Sequence, residues 1–435
     1  MTPSAEPSYL GHSGTGTSGT GTSGTGTSGN GLGERRYDLD WVRIGAFLLL
    51  ILYHTGMYYV SWDWHVKSPH ASSALEPLMM LSSPWRLPLL FLVSGVATAY
   101  LLSRQPRGFL GARSLRLLLP LIFGMAVIVP PQSYLEVVEK VRYAGSYGDF
   151  LKLYFTAYHG FCRGSDCLIL PTWNHLWFVA YLWVYTVILW VAVRLAPPLT
   201  AALRPLAERA PDGMRGAGVL LWPILYLSLV RLTLAQWYPA THALAGDWYN
   251  HALYGATFLT GFALAGTRAP WAAMERLRWI ALGLAVLAWA FITAWEALPE
   301  SFMPPLPLLI MGRVIYAALQ WLPIVAVLGF ARRHLNHDNP ARAYLTAAVF
   351  PVYILHQTVI VISAHALKPS HLEPAVEGLL LVAVTAAGCL LGYDMIRRVP
   401  LLRPLFGLSL DLRSRSPGRV SAQGAVRAAA AAGQA

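Results

Sequence analysis

Ten long apolar runs dominate the sequence, at about residues 42–60, 84–103, 113–131, 173–195, 217–238, 250–267, 279–297, 306–331, 343–366 and 375–396. A helix rises ~1.5 Å per residue, so each run crosses or nearly crosses a ~30 Å hydrocarbon core. In lipid every backbone polar group must be satisfied internally, and helices do this within a single segment. The expected fold class is therefore all-α, a polytopic transmembrane bundle of about ten helices. A soluble enzyme is excluded by the composition, which is 55% hydrophobic and only 12% charged over 435 residues. The sixth run is short, and Pro304, Pro305 and Pro307 make the start of the eighth irregular.

The formal net charge of +12 invites a nucleic-acid reading, but its distribution argues against one. The segments after the second, fourth, sixth and eighth runs carry Arg104, Arg107, Arg113 and Arg116; Arg194, Arg204, Arg209 and Arg215; Arg268, Arg276 and Arg278; and Arg332, Arg333 and Arg342. The other side keeps only Lys67, Lys140, Arg142, Lys152, Arg163 and Lys368. Cytoplasmic loops hold the excess of positive charge, so both termini are expected in the cytoplasm. Residues 1–36 read as a disordered Gly/Ser/Thr-rich tail, 37–400 as the membrane domain and 401–435 as a cytoplasmic tail. No cleavage pattern interrupts the first run, which reads as an uncleaved anchor.

That run, DWVRIGAFLLLILYH, places Arg43 and His54 eleven residues apart. About three turns separate them, so they share a helix face, with a rise between them of ~16 Å. Arg43 then belongs at a membrane surface and His54 near the midplane. Arg86, His175, Arg231, Arg313 and His356 also fall in or at the ends of apolar runs. Ionisable groups at such depth face a bundle interior or a wet cavity. Each histidine also fits a plain helix-packing hydrogen bond. The segment 132–172 is the largest external one, with Phe150, Leu151, Tyr154, Phe155 and Tyr158 at near-helical spacing for an interfacial helix. Cys162 and Cys167 are close enough in sequence to form a disulfide in an oxidising compartment. The loop offers too few further ligands for a metal.

Several of these stretches together resemble the acyltransferase 3 family. YDLDWVRIGAFLLLILYH is similar to that family's first helix, with its basic residue, ten intervening residues and histidine, here Arg43 and His54. LPLLFLVSGVATAYL resembles the second-helix pattern ending in Ser94-Gly95, and ARSLRLLLP the R-x-x-R of Arg113 and Arg116. NHLWFVAYLWVY resembles the His-x-Trp-Phe element (His175, Trp177, Phe178), and FPVYILHQTVIV the late Tyr-x-x-His (Tyr353, His356). Leu90-Phe91 stands where a double phenylalanine is usual. The overall look is that of the family's glucan-modifying branch.

The resemblance implies transfer of an acetyl or succinyl group from cytoplasmic acyl-CoA to hydroxyls of a cell-envelope carbohydrate, with no bound cofactor or metal. It implies a multi-pass protein of the bacterial inner membrane, working in the lipid bilayer beside proteins of glycan synthesis. His54 and Arg43 become the candidate catalytic pair, because an imidazole exchanges protons near neutral pH. Arg113 and Arg116 suit the phosphates of the donor, or serve only as orientation signals. Arg86, His175, Trp177, Arg313 and His356 are candidates for substrate contact, and Asp40, Ser94, Gly95 and Tyr353 for support. Asp40 could pair with Arg43 at i,i+3 or favour the helix N-terminus. A proton-coupled transporter or flippase is the competing class, although no internal repeat is evident.

Overall fold

The computed structural model describes residues 36–209, 216–299 and 301–410. The expected N-terminal tail (except Arg36), Arg215 and the chain from Asp411 onward lie outside the described residues. The fold is an all-helical bundle. Its helices are α1 (Tyr37–Tyr59), α2 (Arg86–Arg104), α3 (Phe109–Phe123), α4 (Pro130–Val141), α5 (Tyr147–Phe155), α6 (Trp177–Leu195) and α7 (Pro197–Arg209). They continue as α8 (Gly218–Thr233), α9 (Ala256–Leu264), α10 (Ala269–Glu296), α11 (Leu306–His334), α12 (Pro340–Leu367) and α13 (Pro374–Arg398).

Each of the ten apolar runs coincides with helix. Eight of these helices are long and apolar enough to cross a membrane: α1, α2, α3 with its continuation to Ile128, α6, α10, α11, α12 and α13. The fifth run is shorter, since α8 has 16 residues. The sixth runs as one short helix from Trp248 to Leu264, with a π-turn at His251–Gly255 just ahead of α9. Helix α1 packs against α11 and α12, which places its polar face inside the bundle.

Helices α2 and α9 cross almost backbone to backbone. A Cβ at Gly95 would lie 2.0 Å from the Phe258 carbonyl oxygen, and one at Gly261 would lie 1.9 Å from that of Leu92. Small residues at such crossings gain dispersion contacts that larger side chains would hold off. Beside the crossing Phe91 is fully buried, with ring centroids 4.4 Å from Phe178 and 4.9 Å from Tyr254.

The 132–172 segment is more built than its sequence suggests. Helix α5 ends at Phe155, and it buries Phe150 and Tyr154 against Val137, Phe161 and Leu170 rather than offering them to headgroups. Phe155 and Tyr158 do remain exposed. Cys162 and Cys167 are joined by a disulfide across a two-stranded hairpin. Helix α4 was not anticipated. Pro130 and Pro131 stand at its first turn, where proline costs no hydrogen bond, although in a sequence the pair reads as a break. At the opposite end of the bundle Leu402–Leu405 folds back. The Arg403 guanidinium donates to the Ser409 and Arg397 carbonyls, and Phe406 packs on Phe123.

Candidate functional site

Helix α1 carries the two ends of the candidate site. Deep within it, His54 Nδ1 lies 2.8 Å from His356 Nε2 on α12, with the rings stacked at 5.0 Å. His356 Nδ1 is 2.7 Å from the Tyr353 carbonyl oxygen, which can only accept, so that nitrogen carries the proton. In neutral imidazole the Nε2 of His356 is then an acceptor, and His54 Nδ1 donates to it. His54 Nε2 is left as a bare lone pair, without a hydrogen-bond partner among the described residues, on a side chain that stays partly exposed. The outer partner thus fixes which nitrogen of His54 can take a proton.

His175 and Tyr353 close the other side. The Tyr353 hydroxyl donates to the His175 carbonyl at 2.5 Å, and His175 Nε2 donates to the Ile354 carbonyl at 3.1 Å. His175 Nδ1 is buried with no hydrogen-bond partner among the described residues. The His175 and His356 rings meet edge to face at 5.2 Å. Arg86, only 2% exposed at the start of α2, lies over the Tyr53 ring at 4.0 Å and donates to Ser82 Oγ at 3.0 Å. Among the described residues it forms no ion pair with a carboxylate, and its Nε is unpartnered. A cationic group is thereby held beside the histidines with donor capacity to spare.

A second polar network, missed in the sequence, covers these residues. Gln357 Nε2 donates to His65 Nε2 at 2.8 Å and to Gln132 Oε1 at 3.1 Å. His65 Nδ1 in turn donates to Glu136 at 2.5 Å, and Lys140 pairs with the same carboxylate at 2.8 Å. Gln132 also donates to Thr358 Oγ1 at 2.6 Å and accepts from Asn174 at 3.1 Å. The readable signal was His356-Gln357-Thr358, three polar residues in succession within an apolar run. Burial alone would raise the Glu136 carboxyl, but His65 and then Lys140 more than reverse this and pull it down to about 2. A carboxyl lowered on folding adds stability above its ordinary value of 4.5, and that stability is lost only as pH falls toward about 2. Glu136→Gln is therefore expected to lower the melting temperature at neutral pH, with the gap from wild type closing in acid. A thermal scan across pH that shows no gap at pH 7 would contradict this.

The other end of α1 is basic. Arg43 makes no hydrogen bond among the described residues, and Arg113, on α3, is within electrostatic reach of both Arg43 and Arg116. Arg113 Nε is buried and unpartnered. Asp40 stays within electrostatic reach of Arg43. Its ion pair is with Arg342 on α12, which is 2% exposed and also paired with Asp338. Of the two roles open to Asp40, the coupling to Arg43 is present without a hydrogen bond, because the carboxylate also serves a buried cation on α12.

The structure thus gathers His54, His175, His356, Tyr353 and Arg86 in one place, and Arg43, Arg113 and Arg116 in another. Two candidates stand apart. Trp177 packs on His242 at 4.2 Å and Tyr181 at 5.2 Å, and Arg313 lines a separate cavity beside Arg231. Ser94 offers its carbonyl to Thr98, and Gly95 serves the helix crossing. Among the described residues no cluster of three or more histidine, cysteine or acidic side chains is arranged to hold a metal.

Comparison with known proteins gives a match across this whole region. A family model described as "Acyltransferase domain" matches residues 36–394. Glucans biosynthesis protein C from Escherichia coli (strain K12) is 23% identical over 396 residues, covering 86% of this chain and 94% of that protein. The protein of the same name from Escherichia coli (strain SMS-3-5 / SECEC) is equally similar, 23% over 396 residues with the same coverage. No solved structure matches the chain.

Proposed function

Since the chain belongs to the acyltransferase 3 family of multi-pass membrane acyltransferases, we propose that it moves an acetyl or succinyl group from acyl-CoA to a carbohydrate hydroxyl, using His54 as the proton carrier. The observation that carries this reading is the bare Nε2 of His54, fixed by its bond to His356. In the proposed step the acceptor hydroxyl attacks the thioester carbonyl while Nε2 takes its proton. The C–O bond forms, the C–S bond breaks, and the proton passes to the departing thiolate. Arg86 is the near cation for the oxyanion that develops in between.

The donor's phosphates belong at Arg43, Arg113 and Arg116, where positive charge is in excess. The ~16 Å rise from Arg43 to His54 is a distance that an extended pantetheine arm can span, which brings the thioester to the imidazole. The acceptor enters from the other end. A glucan is the acceptor we favour, because the similar proteins are named for glucan biosynthesis. The corresponding setting is a bacterial inner membrane with both chain termini in the cytoplasm, where acyl-CoA is made.

The donor half of this proposal has its own test. Arg113→Ala with Arg116→Ala is expected to raise the KM for acyl-CoA at least ~10-fold, because two charge-assisted contacts are lost. The dependence on acceptor should stay as it was. The effect should weaken at high salt in the wild type, since phosphate contacts are screened. An unchanged donor KM in the double variant would remove these arginines from the donor site.

A further inference from the structure

A second basic cavity lies away from the histidines, between α8, α10 and α11. It encloses about 180 Å³ and is lined by Arg231, Trp295, Glu296, Gly312, Arg313 and Tyr316 among others. Arg231 is near the end of α8, Glu296 closes α10, and Arg313 is in the second turn of α11. All three lie at the same end of the bundle, opposite Arg113 and Arg116. The Arg231 guanidinium rests over the Tyr316 ring at 3.6 Å and donates to the Tyr249 hydroxyl at 2.9 Å. Arg313 makes no hydrogen bond or ion pair among the described residues. Glu296 lines the cavity but is exposed and forms no ion pair among the described residues, so the described lining keeps a net positive charge.

Two guanidiniums near the ends of apolar helices, with Glu296 the one acidic side chain in the described lining, are costly unless something anionic meets them. The neighbouring stretch of chain says where that group comes from. Leu298, Phe302, Met303, Leu306 and Ile310, on the connection from α10 into the first turns of α11, are all exposed, Met303 at 90% and Leu306 at 68%. A cationic recess next in sequence to exposed apolar side chains matches a molecule with a charged head and hydrocarbon tails. It does not match a free ion, which would gain nothing from those side chains.

We propose that this cavity binds the phosphate of an anionic phospholipid in the leaflet next to it, with the acyl chains lying along the exposed apolar side chains of the α10–α11 connection. The phosphodiester offers two oxygens to planar guanidiniums, which bind such groups through paired N–H donors.

The test is lipid retention. Purified protein in nanodiscs of mixed phosphatidylcholine and phosphatidylglycerol is examined by native mass spectrometry. Wild type is expected to keep phosphatidylglycerol in preference to phosphatidylcholine. Arg231→Gln with Arg313→Gln should reduce that retention at least ~10-fold. Gly312→Leu leaves both arginines in place and turns a side chain toward Trp295, whose ring is 3.6 Å from a Cβ built there. It should lower retention as well, and it decides the matter if the double variant is not recovered folded. Equal retention of the two lipids, or unchanged phosphatidylglycerol in the variants, overturns the proposal. Complete displacement by millimolar inorganic phosphate also overturns it, because the site would then hold the free anion.

Discussion

Glutamine in place of His54 should abolish detectable acyl transfer while leaving folded protein in the membrane. A positioned acid or base typically contributes ~10²–10⁴-fold, and glutamine cannot exchange a proton near neutral pH. Its amide nitrogen can still donate toward His356 Nε2, so packing of α1 against α12 is largely kept. His356→Gln should cost less, because a glutamine carbonyl can still accept from His54 Nδ1 and hold Nε2 bare. The ratio of the two effects, read as kcat in matched membrane preparations, separates a proton carrier from its orienting partner. Near wild-type activity in His54→Gln would move the chemistry elsewhere, and His175 would be the next candidate because its buried Nδ1 is unpartnered.

Valine at Gly95 should have the largest effect on stability. The added Cβ would stand 2.0 Å from a backbone oxygen of α9, and no rotamer relieves a clash with backbone. Overpacking costs ~1–3 kcal/mol where side chains can adjust, and here the helices themselves must part. Folded protein is expected to fall to a small fraction of the wild-type level, with Gly95→Ala intermediate. Gly45→Ala is the control, since nothing lies within 4 Å of a Cβ at that position. Wild-type yield and melting temperature for Gly95→Val would mean that the crossing is looser than described.

The bundle was legible because each run had only one way to satisfy its backbone in lipid. The two segments whose helices are shortest were the least legible. The π-turn at His251–Gly255 has no signal in the periodicity of the run. At the site, Arg43 and His54 could be placed on one face of one helix from spacing alone. Their partners could not. His356 is 302 residues from His54, and Arg342 is as far from Asp40, so both pairings exist only through the packing of α1 on α12. His65 and Glu136 escaped notice for the same reason, each being ordinary in its own loop or helix. The arginines at the ends of helices were ambiguous between orientation signal and anion site. That Arg113 has two arginines and no carboxylate as its charged neighbours among the described residues is a tertiary fact.

The central claim is that one chain couples acyl-CoA at its arginine-rich end to a hydroxyl acceptor through His54. The direct measurement uses purified protein in sealed vesicles, with labelled acyl-CoA on one side and a glucan acceptor on the other. The account predicts that label appears on the glucan with stoichiometric release of coenzyme A, and that His54→Gln vesicles show neither. Movement of glucan or acyl label across the membrane without thioester cleavage, equally in wild type and His54→Gln, would contradict it.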